Sequence, residues 1–175
     1  MAGVAIRPER PGDEAAIRSL IDAAFAPSTE EGRIIDELRL GEGWIPGLSL
    51  VAVDEDGTIV GQCVTSAGRL AGQDGADRPM LALGPIAVAP DRQRRGIGGT
   101  LIHRTIAEAT ASGWPVIALL GHATYYPRFG FEPARSIGIE PQQPWGDEHW
   151  MALRLPAWTP DLRGTFHFPA AFAID

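Results

Sequence analysis

Two amphipathic helices are predicted near the start of the chain from the spacing of its hydrophobic positions. Asp13 can cap the first helix, and Ser28 with Glu31 can form a capping box at the start of the second. The apolar residues at helical spacing are Ile17, Leu20, Ile21, Ala24 and Phe25 in the first helix, and Ile34, Ile35 and Leu38 in the second. Since each helix has one apolar face, each must pack on a larger element.

The larger element is predicted to be a sheet. A short strand is expected at residues 4–7, and two strands joined by a turn at Asp54–Gly57 are predicted by the stretch LSLVAVDEDGTIVGQCVTSAG. The run MLALGPIAVAP is apolar and shows little alternation of polar with apolar residues, which is typical of a strand buried on both faces. Because Pro85 cannot donate to a strand ladder, we expect a bulge or a gap in the middle of this strand.

A third helix and several short strands complete the pattern. Gly113 is well placed to end a helix whose apolar positions are Leu101, Ile102, Ile106 and Ala109. We expect a buried strand in PVIALLG, a short helical turn in ATYYPRFGFEPA, and strands from Phe131, at 149–155 and at 165–168. Since no repeat or linker interrupts the pattern, the chain is predicted to form one α/β domain.

Composition and charge narrow the classes of partner. The chain has 175 residues, of which 45% are hydrophobic and 21% charged, as in an ordinary globular domain. Its net charge of −7 disfavours a nucleic-acid partner, because such binders usually present a basic face. The sequence shows neither a signal peptide nor an apolar run of membrane length, so we expect a cytoplasmic protein without a membrane partner.

Cysteine and histidine give no sign of redox or metal chemistry. Cys63 is the single cysteine, which excludes an internal disulfide, and its strand-like surroundings predict a buried, unreactive thiol. The four histidines lack the paired spacing of metal ligands, so no metal is expected.

Arginine and glycine are concentrated in residues 90–101, PDRQRRGIGGTL. This stretch follows a predicted strand and precedes a predicted helix, an arrangement that binds phosphate at a helix N-terminus. A solvated surface turn is the alternative, but Gly96, Gly98 and Gly99 at this junction favour an anion site. A dinucleotide fingerprint would need glycine where Leu101 stands, and a P-loop would need a lysine, which the chain lacks.

The remaining pattern is Q-x-x-G-x-G from Gln93 to Gly98, and with it the sequence resembles the GNAT superfamily of acyl-CoA-dependent N-acetyltransferases. YYPRFGFEP is similar to the Y-x-x-x-G-F segment of that family, and the likeness spans most of residues 4–155. The tail LRGTFHFPAAF resembles the bacterial YhbS-like subgroup. The resemblance implies an α/β (α+β) fold with a mixed, largely antiparallel central sheet, a splayed parallel pair of strands and flanking helices. It implies one domain over residues 1–175, with 156–175 as a C-terminal extension that packs on it.

The resemblance also implies acetyl-CoA as co-substrate. The backbone of Ile86, Ala87 and Val88 would pair with the pantetheine arm like an added strand. The pyrophosphate would be held by the loop and helix start, at Arg94, Arg95, Gly96, Ile97, Gly98, Gly99 and Thr100. Arg92 or Arg128 could reach the terminal phosphate, although either could equally be solvated.

For the chemistry, the resemblance implies direct transfer to a primary amine. Tyr126 aligns with the family tyrosine that protonates the leaving thiolate, and a strand amide such as that of Val88 would polarise the carbonyl. A purely structural aromatic anchor is the alternative role, and it fits Tyr125 better than Tyr126.

The general base stays open. The strand at residues 81–88 contains no acid, where some relatives supply a glutamate. His122 has the best position, because it precedes the tyrosine turn. The other candidates are Glu30, Glu31, Asp147, Glu148 and His149, and each could instead be a solvated side chain.

The acceptor is expected to be a small-molecule or peptide amine. Aromatic residues could line its pocket, form core or make a homodimer contact: Trp145, Trp150, Phe166, Phe168 and Phe172. The alternative function is a non-catalytic acyl-CoA-binding regulatory domain, which would retain the glycine loop without a competent base.

Overall fold

The computed structural model describes residues 3–173 as one mixed sheet with three helices. The helices are α1 (Glu14–Phe25), α2 (Glu30–Leu40) and α3 (Ile97–Ala111). The strands are β1 (Ala5–Pro8), β2 (Ser49–Val53), β3 (Ile59–Gly72), β4 (Asp77–Val88), β5 (Val116–Leu120), β6 (Glu132–Pro133), β7 (Ile139–Pro141), β8 (Trp150–Arg154) and β9 (Gly164–His167). The main order is β1-β2-β3-β4-β5-β8-β6, and β9 pairs with β3 and β7.

The helices cover opposite faces of the sheet, because side chains alternate along each strand. Val51 packs in a cluster with the apolar faces of α1 and α2, whereas its neighbours Leu50 and Ala52 pack in the cluster that contains α3. The fold class is therefore the predicted one, with a sheet that is mostly antiparallel and has helices on both sides.

Neither predicted helix cap forms in the usual way. The Asp13 carboxylate makes no cap bond; it pairs with Arg7 at 2.6 Å instead, and this partner lowers the pKa of Asp13. At the second helix, the Ser28 hydroxyl donates to Glu31 at 2.7 Å and accepts from the Glu30 amide at 3.2 Å. The helix begins at Glu30, so the Ser28 hydroxyl reaches only the first helical amide, and the Glu31 carboxylate accepts from Ser28 rather than from a backbone amide as in a capping box.

The predicted bulge at Pro85 is confirmed. Thr65 pairs with Leu83 and Cys63 pairs with Ile86, so two residues of β4 lie opposite the single residue Val64 of β3. The irregularity divides β4 into a first half that joins the sheet on both sides and a second half that does not.

The parallel pair of strands separates at the same place. Leu81 pairs with Ile117 and Ala82 with Ala118, and within residues 3–173 the pairing between β4 and β5 ends there. From Leu83 to Val88, β4 keeps β3 on one side and presents an open edge on the other. The resemblance implied this splayed pair, and the structure has it.

The last part of the chain contributes to the sheet itself. Strand β9 pairs with residues 69–72 of β3, and the Phe166 ring stacks on Trp150 with both side chains fully buried. Trp150 and Phe166 are therefore core residues rather than pocket residues. The domain boundaries, the homodimer and the cytoplasmic location stay predictions. Across residues 3–173, every helix is too short or too polar to cross a bilayer.

A buried polar cluster holds the C-terminal end of α2 on the sheet. The Arg39 guanidinium donates to the Glu9 carboxylate at 2.6 Å, and Glu9 also accepts from the Ser49 hydroxyl at 2.7 Å. Both partners of this ion pair are largely buried, so the charges are poorly screened by water. The cluster fixes the position of the helix that carries Glu31 in its first turn.

Candidate active site

The glycine-rich loop and the start of α3 border a cavity of about 600 Å³. Gly96 has φ +84° immediately before the helix, a left-handed conformation that glycine adopts without strain. Arg94 also has a positive φ, +60°, which is uncommon for a residue with a Cβ. The first amides of a helix have no partner within it, and Ile97, Gly98 and Gly99 of this first turn line the cavity, so their N–H groups are available to an anion there.

Gln93 ties the loop to the end of β4. Its side-chain amide donates to the Val88 carbonyl at 3.1 Å, so the first residue of the Q-x-x-G-x-G pattern has a structural role. A Cβ at Gly98 would meet the Tyr125 hydroxyl at 3.5 Å and Val88 at 3.7 Å, which are ordinary contacts. Packing within the protein therefore tolerates alanine at Gly98, and close approach of a ligand is the better reason for a glycine.

Two residues predicted to hold the pyrophosphate have other partners. The amide and the hydroxyl of Thr100 both donate to the Gly96 carbonyl at 3.0 Å, and Thr100 lies outside the cavity lining. The guanidinium of Arg95 donates to the Asp91 carbonyl at 3.0 Å. The polar groups of Thr100 thus serve the helix, and the amides of the loop and of the first turn are the groups suited to an anion.

The two arginines considered for a terminal phosphate differ in their partners. Arg92 pairs with the buried carboxylate of Asp54 at 3.2 Å, which balances its charge. Arg128 donates to the backbone carbonyl of Tyr125 at 2.9 Å and lies over the Tyr125 ring, 4.6 Å from its centroid. Among residues 3–173 no carboxylate pairs with Arg128, so it adds a positive charge to the cavity wall.

The open edge of β4 offers alternate residues to a ligand. The Ala89 amide donates to Val60 of β3 at 2.9 Å, and backbone groups alternate sides along a strand. The groups of Ala87 therefore face β3, while the amides of Ile86 and Val88 face the gap beside β5. The register therefore leaves Ile86 and Val88 as the residues whose backbone groups are free to pair with a ligand, and the binding roles of Ile86, Ala87 and Val88 stay predictions.

A second cavity of about 330 Å³ opens between the separated ends of β4 and β5. We call it the cleft; its walls include residues 83–86 of β4 and 120–122 after β5. Tyr126 closes one side and Glu31 of α2 lies on another. The open edge of β4 runs between the two cavities, since Val88 lines the first and Ile86 the second.

Tyr126 is positioned by close packing against the backbone. Its side chain is 8% exposed, and burial raises the pKa of the phenol to about 12. A Cβ at Gly121 would overlap the Tyr126 ring, so this glycine makes room for the tyrosine. The phenol therefore stays protonated at neutral pH, as a proton donor must.

Of the candidate bases, Glu31 and His122 line the cleft. Glu31 is half-buried and held by the Ser28 hydroxyl, whereas His122 is exposed, with its ring 6.5 Å from that of His149. The structure places the other carboxylates elsewhere: Glu30 pairs with Arg33, Asp147 pairs with Arg135, and Glu148 is exposed.

Tyr125 has a location that the sequence reasoning missed. Its hydroxyl lies beside Gly98 in the loop cavity, while Tyr126 lines the cleft. The two rings are nearly perpendicular, with centroids 5.1 Å apart, so neighbouring tyrosines face different cavities. The doubled tyrosine was the available signal, because adjacent residues in a tight turn point in different directions.

Cys63 is buried as predicted, and burial raises the pKa of its thiol to about 11. Thr105 of α3 donates to its sulfur at 3.6 Å, which places the thiol in the core beneath the helix. In the described part of the chain, His, Cys, Asp and Glu side chains form no cluster of three that could hold a metal ion.

Comparison with known proteins decides the family. The model of the acetyltransferase (GNAT) domain matches residues 5–134. The chain belongs to the GNAT family. One relative is the uncharacterized N-acetyltransferase YjhQ of Escherichia coli K12, which is 37% identical to this GNAT chain. The alignment covers 87% of this chain and 84% of YjhQ. This chain is 27% identical to the uncharacterized N-acetyltransferase YhbS of the same strain, over 86% of each.

Solved structures agree with this assignment. A GNAT family acetyltransferase of Brucella melitensis, solved with acetyl-CoA, is 34% identical in sequence to this chain and has a TM-score of 0.78. The match covers 98% of this chain and 99% of the Brucella chain. YhbS of Escherichia coli, solved with CoA, is 24% identical in sequence and has a TM-score of 0.87. The match covers 99% of this chain and 94% of the YhbS chain. At that identity the second likeness shows the shared fold.

We predict that Gly121→Ala lowers the free energy of unfolding by about 1–3 kcal/mol, because the new methyl group must displace the Tyr126 ring. Gly47→Ala is the matched control, since no described atom beyond Gly47 and its two chain neighbours lies within 4 Å of the added Cβ. Urea denaturation of both variants measures the difference. Equal stability of the two variants would show that Gly121 does not position Tyr126.

Proposed function

We propose that this GNAT enzyme transfers the acetyl group of acetyl-CoA to a primary amine by direct attack. The observation that carries the proposal is the open edge of β4, which runs from the loop cavity to the cleft that contains Tyr126. A long, narrow co-substrate with phosphates at one end and a thioester at the other matches that arrangement. The relatives solved with CoA and with acetyl-CoA support the same ligand.

In this proposal backbone groups hold the pyrophosphate and the pantetheine arm, and an arginine side chain holds the terminal phosphate. The pyrophosphate accepts from amides between Arg94 and Gly99, where the dipole of α3 adds to the attraction. The pantetheine arm pairs with Ile86 and Val88 as an added strand. Arg128 is the arginine for the terminal phosphate, because Arg92 is already paired with Asp54.

The carbonyl is polarised by the Ile86 amide rather than by the Val88 amide. Ile86 lines the cleft together with Tyr126, whereas Val88 lines the loop cavity two residues further along. Two residues of a strand span about 7 Å, which is too far for both amides to serve one oxygen. The Ile86 amide thus supports the negative charge of the tetrahedral intermediate.

The reaction then needs three proton movements. The neutral amine attacks the carbonyl carbon, the C–S bond breaks, and the thiolate takes the phenolic proton of Tyr126. The nitrogen, which is positively charged after the attack, gives up a proton that restores the phenol directly or through a water. Most alkyl amines are protonated at neutral pH, so the ammonium must first lose a proton. Glu31 receives that proton, directly or through a water, because its carboxylate is held in the cleft wall by Ser28. His122, at the exposed rim, is the second candidate.

The direct test of this function is release of CoA thiol when acetyl-CoA is mixed with a panel of primary amines. The proposal predicts thiol release that depends on the amine and is accompanied by the N-acetyl product. Tight binding of acetyl-CoA without transfer to any amine in the panel would instead favour the non-catalytic acyl-CoA-binding domain.

Tyr126→Phe is expected to lower kcat about 10²- to 10⁴-fold while the Kd for acetyl-CoA stays unchanged. The substitution removes only the hydroxyl and keeps the ring against Gly121. Single-turnover rates at saturating acetyl-CoA, with calorimetric measurement of the Kd, separate the two effects. An unchanged rate would assign the proton donor to another group.

Tyr125→Phe is expected to show the opposite pattern. Its hydroxyl faces the loop cavity beside Gly98, so its loss should raise the Kd for acetyl-CoA about tenfold, as for a hydrogen bond to a charged phosphate. The kcat at saturation should stay close to that of the parent. If affinity is unaffected, Tyr125 packs the turn and does not bind the co-substrate.

Glu31→Gln should lower kcat/KM about 10²-fold or more, because the amide cannot accept the ammonium proton. Glu30→Gln is a matched control on the neighbouring residue, whose exposed ion pair with Arg33 lies outside the cleft and contributes little. Initial rates of both variants across pH test the assignment. Parent-like kinetics for Glu31→Gln would move the role to His122.

A further inference from the structure

A line of aromatic side chains extends from the cleft into an adjoining cavity. Phe168 and Phe172 both line the cleft, with their rings 5.0 Å apart. Trp145 continues the line at 5.7 Å from Phe168 and lines the adjoining cavity above Leu120 and His122. We call these three residues the aromatic wall; each is half-buried, so each ring keeps a face or an edge that the protein does not cover.

The floor of the same region is also apolar and open. Leu120 lies in both cavities and remains 38% exposed, although it ends a strand whose other residues are buried. Phe25 and Ile34 line the cleft from α1 and α2. An apolar floor and wall that remain open to solvent would gain stability from burial by an apolar ligand.

Charge inside the cleft is limited to one end. Among the described residues that line the cleft, Glu31 is the only carboxylate, and none is an arginine. The lining of the adjoining cavity adds two histidines, His122 and His149, and the exposed Glu148 carboxylate lies outside that lining, 3.9 Å from the His149 ring nitrogen. Arg33, the nearest guanidinium along α2, is already paired with Glu30 and Glu37. The cleft itself therefore offers one anionic partner and no strong cationic partner.

This arrangement discriminates between classes of amine. An amino acid would place its carboxylate in an apolar cleft without an arginine, and a polyamine would place a second ammonium there without a second carboxylate. Each of these leaves a desolvated charge without a partner, which is strongly unfavourable. A single ammonium directed at Glu31, with an apolar body against the aromatic wall, satisfies both ends of the site.

We propose that the acceptor is a primary monoamine with an apolar, aromatic-sized body. This inference rests on the proposed acetyl transfer and deepens it by naming the substrate class. A cleft of about 330 Å³ lies at the small end of ligand sites, and the acetyl group occupies part of it. A single ring on a short aliphatic amine is therefore the size that fits.

Three amines test the class, compared by kcat/KM for CoA thiol release and for the N-acetyl product. The three are 2-phenylethylamine, L-phenylalanine, which adds only a carboxylate, and spermidine, which replaces the ring by further ammonium groups. We expect the kcat/KM for 2-phenylethylamine to exceed that of each other amine at least about tenfold. A buried polar group without a partner lowers kcat/KM more strongly than the loss of an apolar contact does.

The variant Phe172→Ala tests the aromatic wall separately. It should raise the KM for 2-phenylethylamine about tenfold, because the ring of the amine loses the apolar contact that buries it, and it should leave the Kd for acetyl-CoA unchanged. Leu40→Ala is the control, because Leu40 is exposed and lies outside the cleft. An unaltered KM in Phe172→Ala would contradict a role for the wall in binding the acceptor.

The outcomes distinguish this inference from the function on which it rests. Preference for spermidine or L-phenylalanine would overturn the substrate class while acetyl transfer to an amine stands. Acetyl-CoA binding without transfer to any of the three amines, or to a wider panel of primary amines, would overturn both. Preference for 2-phenylethylamine that Phe172→Ala weakens supports both the class and the wall.

Discussion

The separation of β4 from β5 is the constraint on which the rest of the site depends. The two strands pair at Leu81 and Ala82 and then diverge, because the bulge at residues 84–85 redirects the second half of β4. Unpaired backbone amides are costly when buried, so an open edge in the middle of a sheet must face solvent or a ligand. Here the edge joins the loop cavity to the cleft, and both proposed substrates would lie along it.

The tyrosine turn connects the two ends of this edge. Tyr125 and Tyr126 are adjacent, yet the Tyr125 hydroxyl lies beside the glycine-rich loop and the Tyr126 side chain lines the cleft. A single short 3₁₀ turn, Tyr126–Phe129, therefore sets the position of a proposed phosphate contact and of a proposed proton donor. Burial raises the pKa of Tyr126 from its ordinary alkaline value to about 12, so the phenol carries its proton at neutral pH. Opposite the tyrosine, α2 brings Glu31 to the cleft and the Glu9–Arg39 pair holds that helix in place.

Much of this arrangement could be predicted from local patterns in the sequence. The spacing of apolar residues predicted all three helices, and Pro85 predicted the bulge. The order of strand, glycine loop and helix predicted an anion site where the structure has a cavity. What could not be predicted depends on contacts between distant segments. As candidate bases, Glu30 and Glu31 could not be distinguished from the sequence, and only the packing of α2 turns Glu31 to the cleft and Glu30 to Arg33. Ala87 is apolar like its neighbours, and only the register with β3 shows that its backbone groups are already paired.

The most direct test of the central claim is amide hydrogen exchange at residues 86–88, measured by NMR with and without acetyl-CoA. In the free protein the amides of Ile86 and Val88 should exchange faster than that of Ala87, which lies in the ladder with β3. Saturating acetyl-CoA should slow exchange at Ile86 and Val88 and leave Ala87 nearly unchanged, while NAD should protect none of them. If acetyl-CoA binds without slowing exchange at Ile86 and Val88, the edge of β4 is not where the co-substrate pairs.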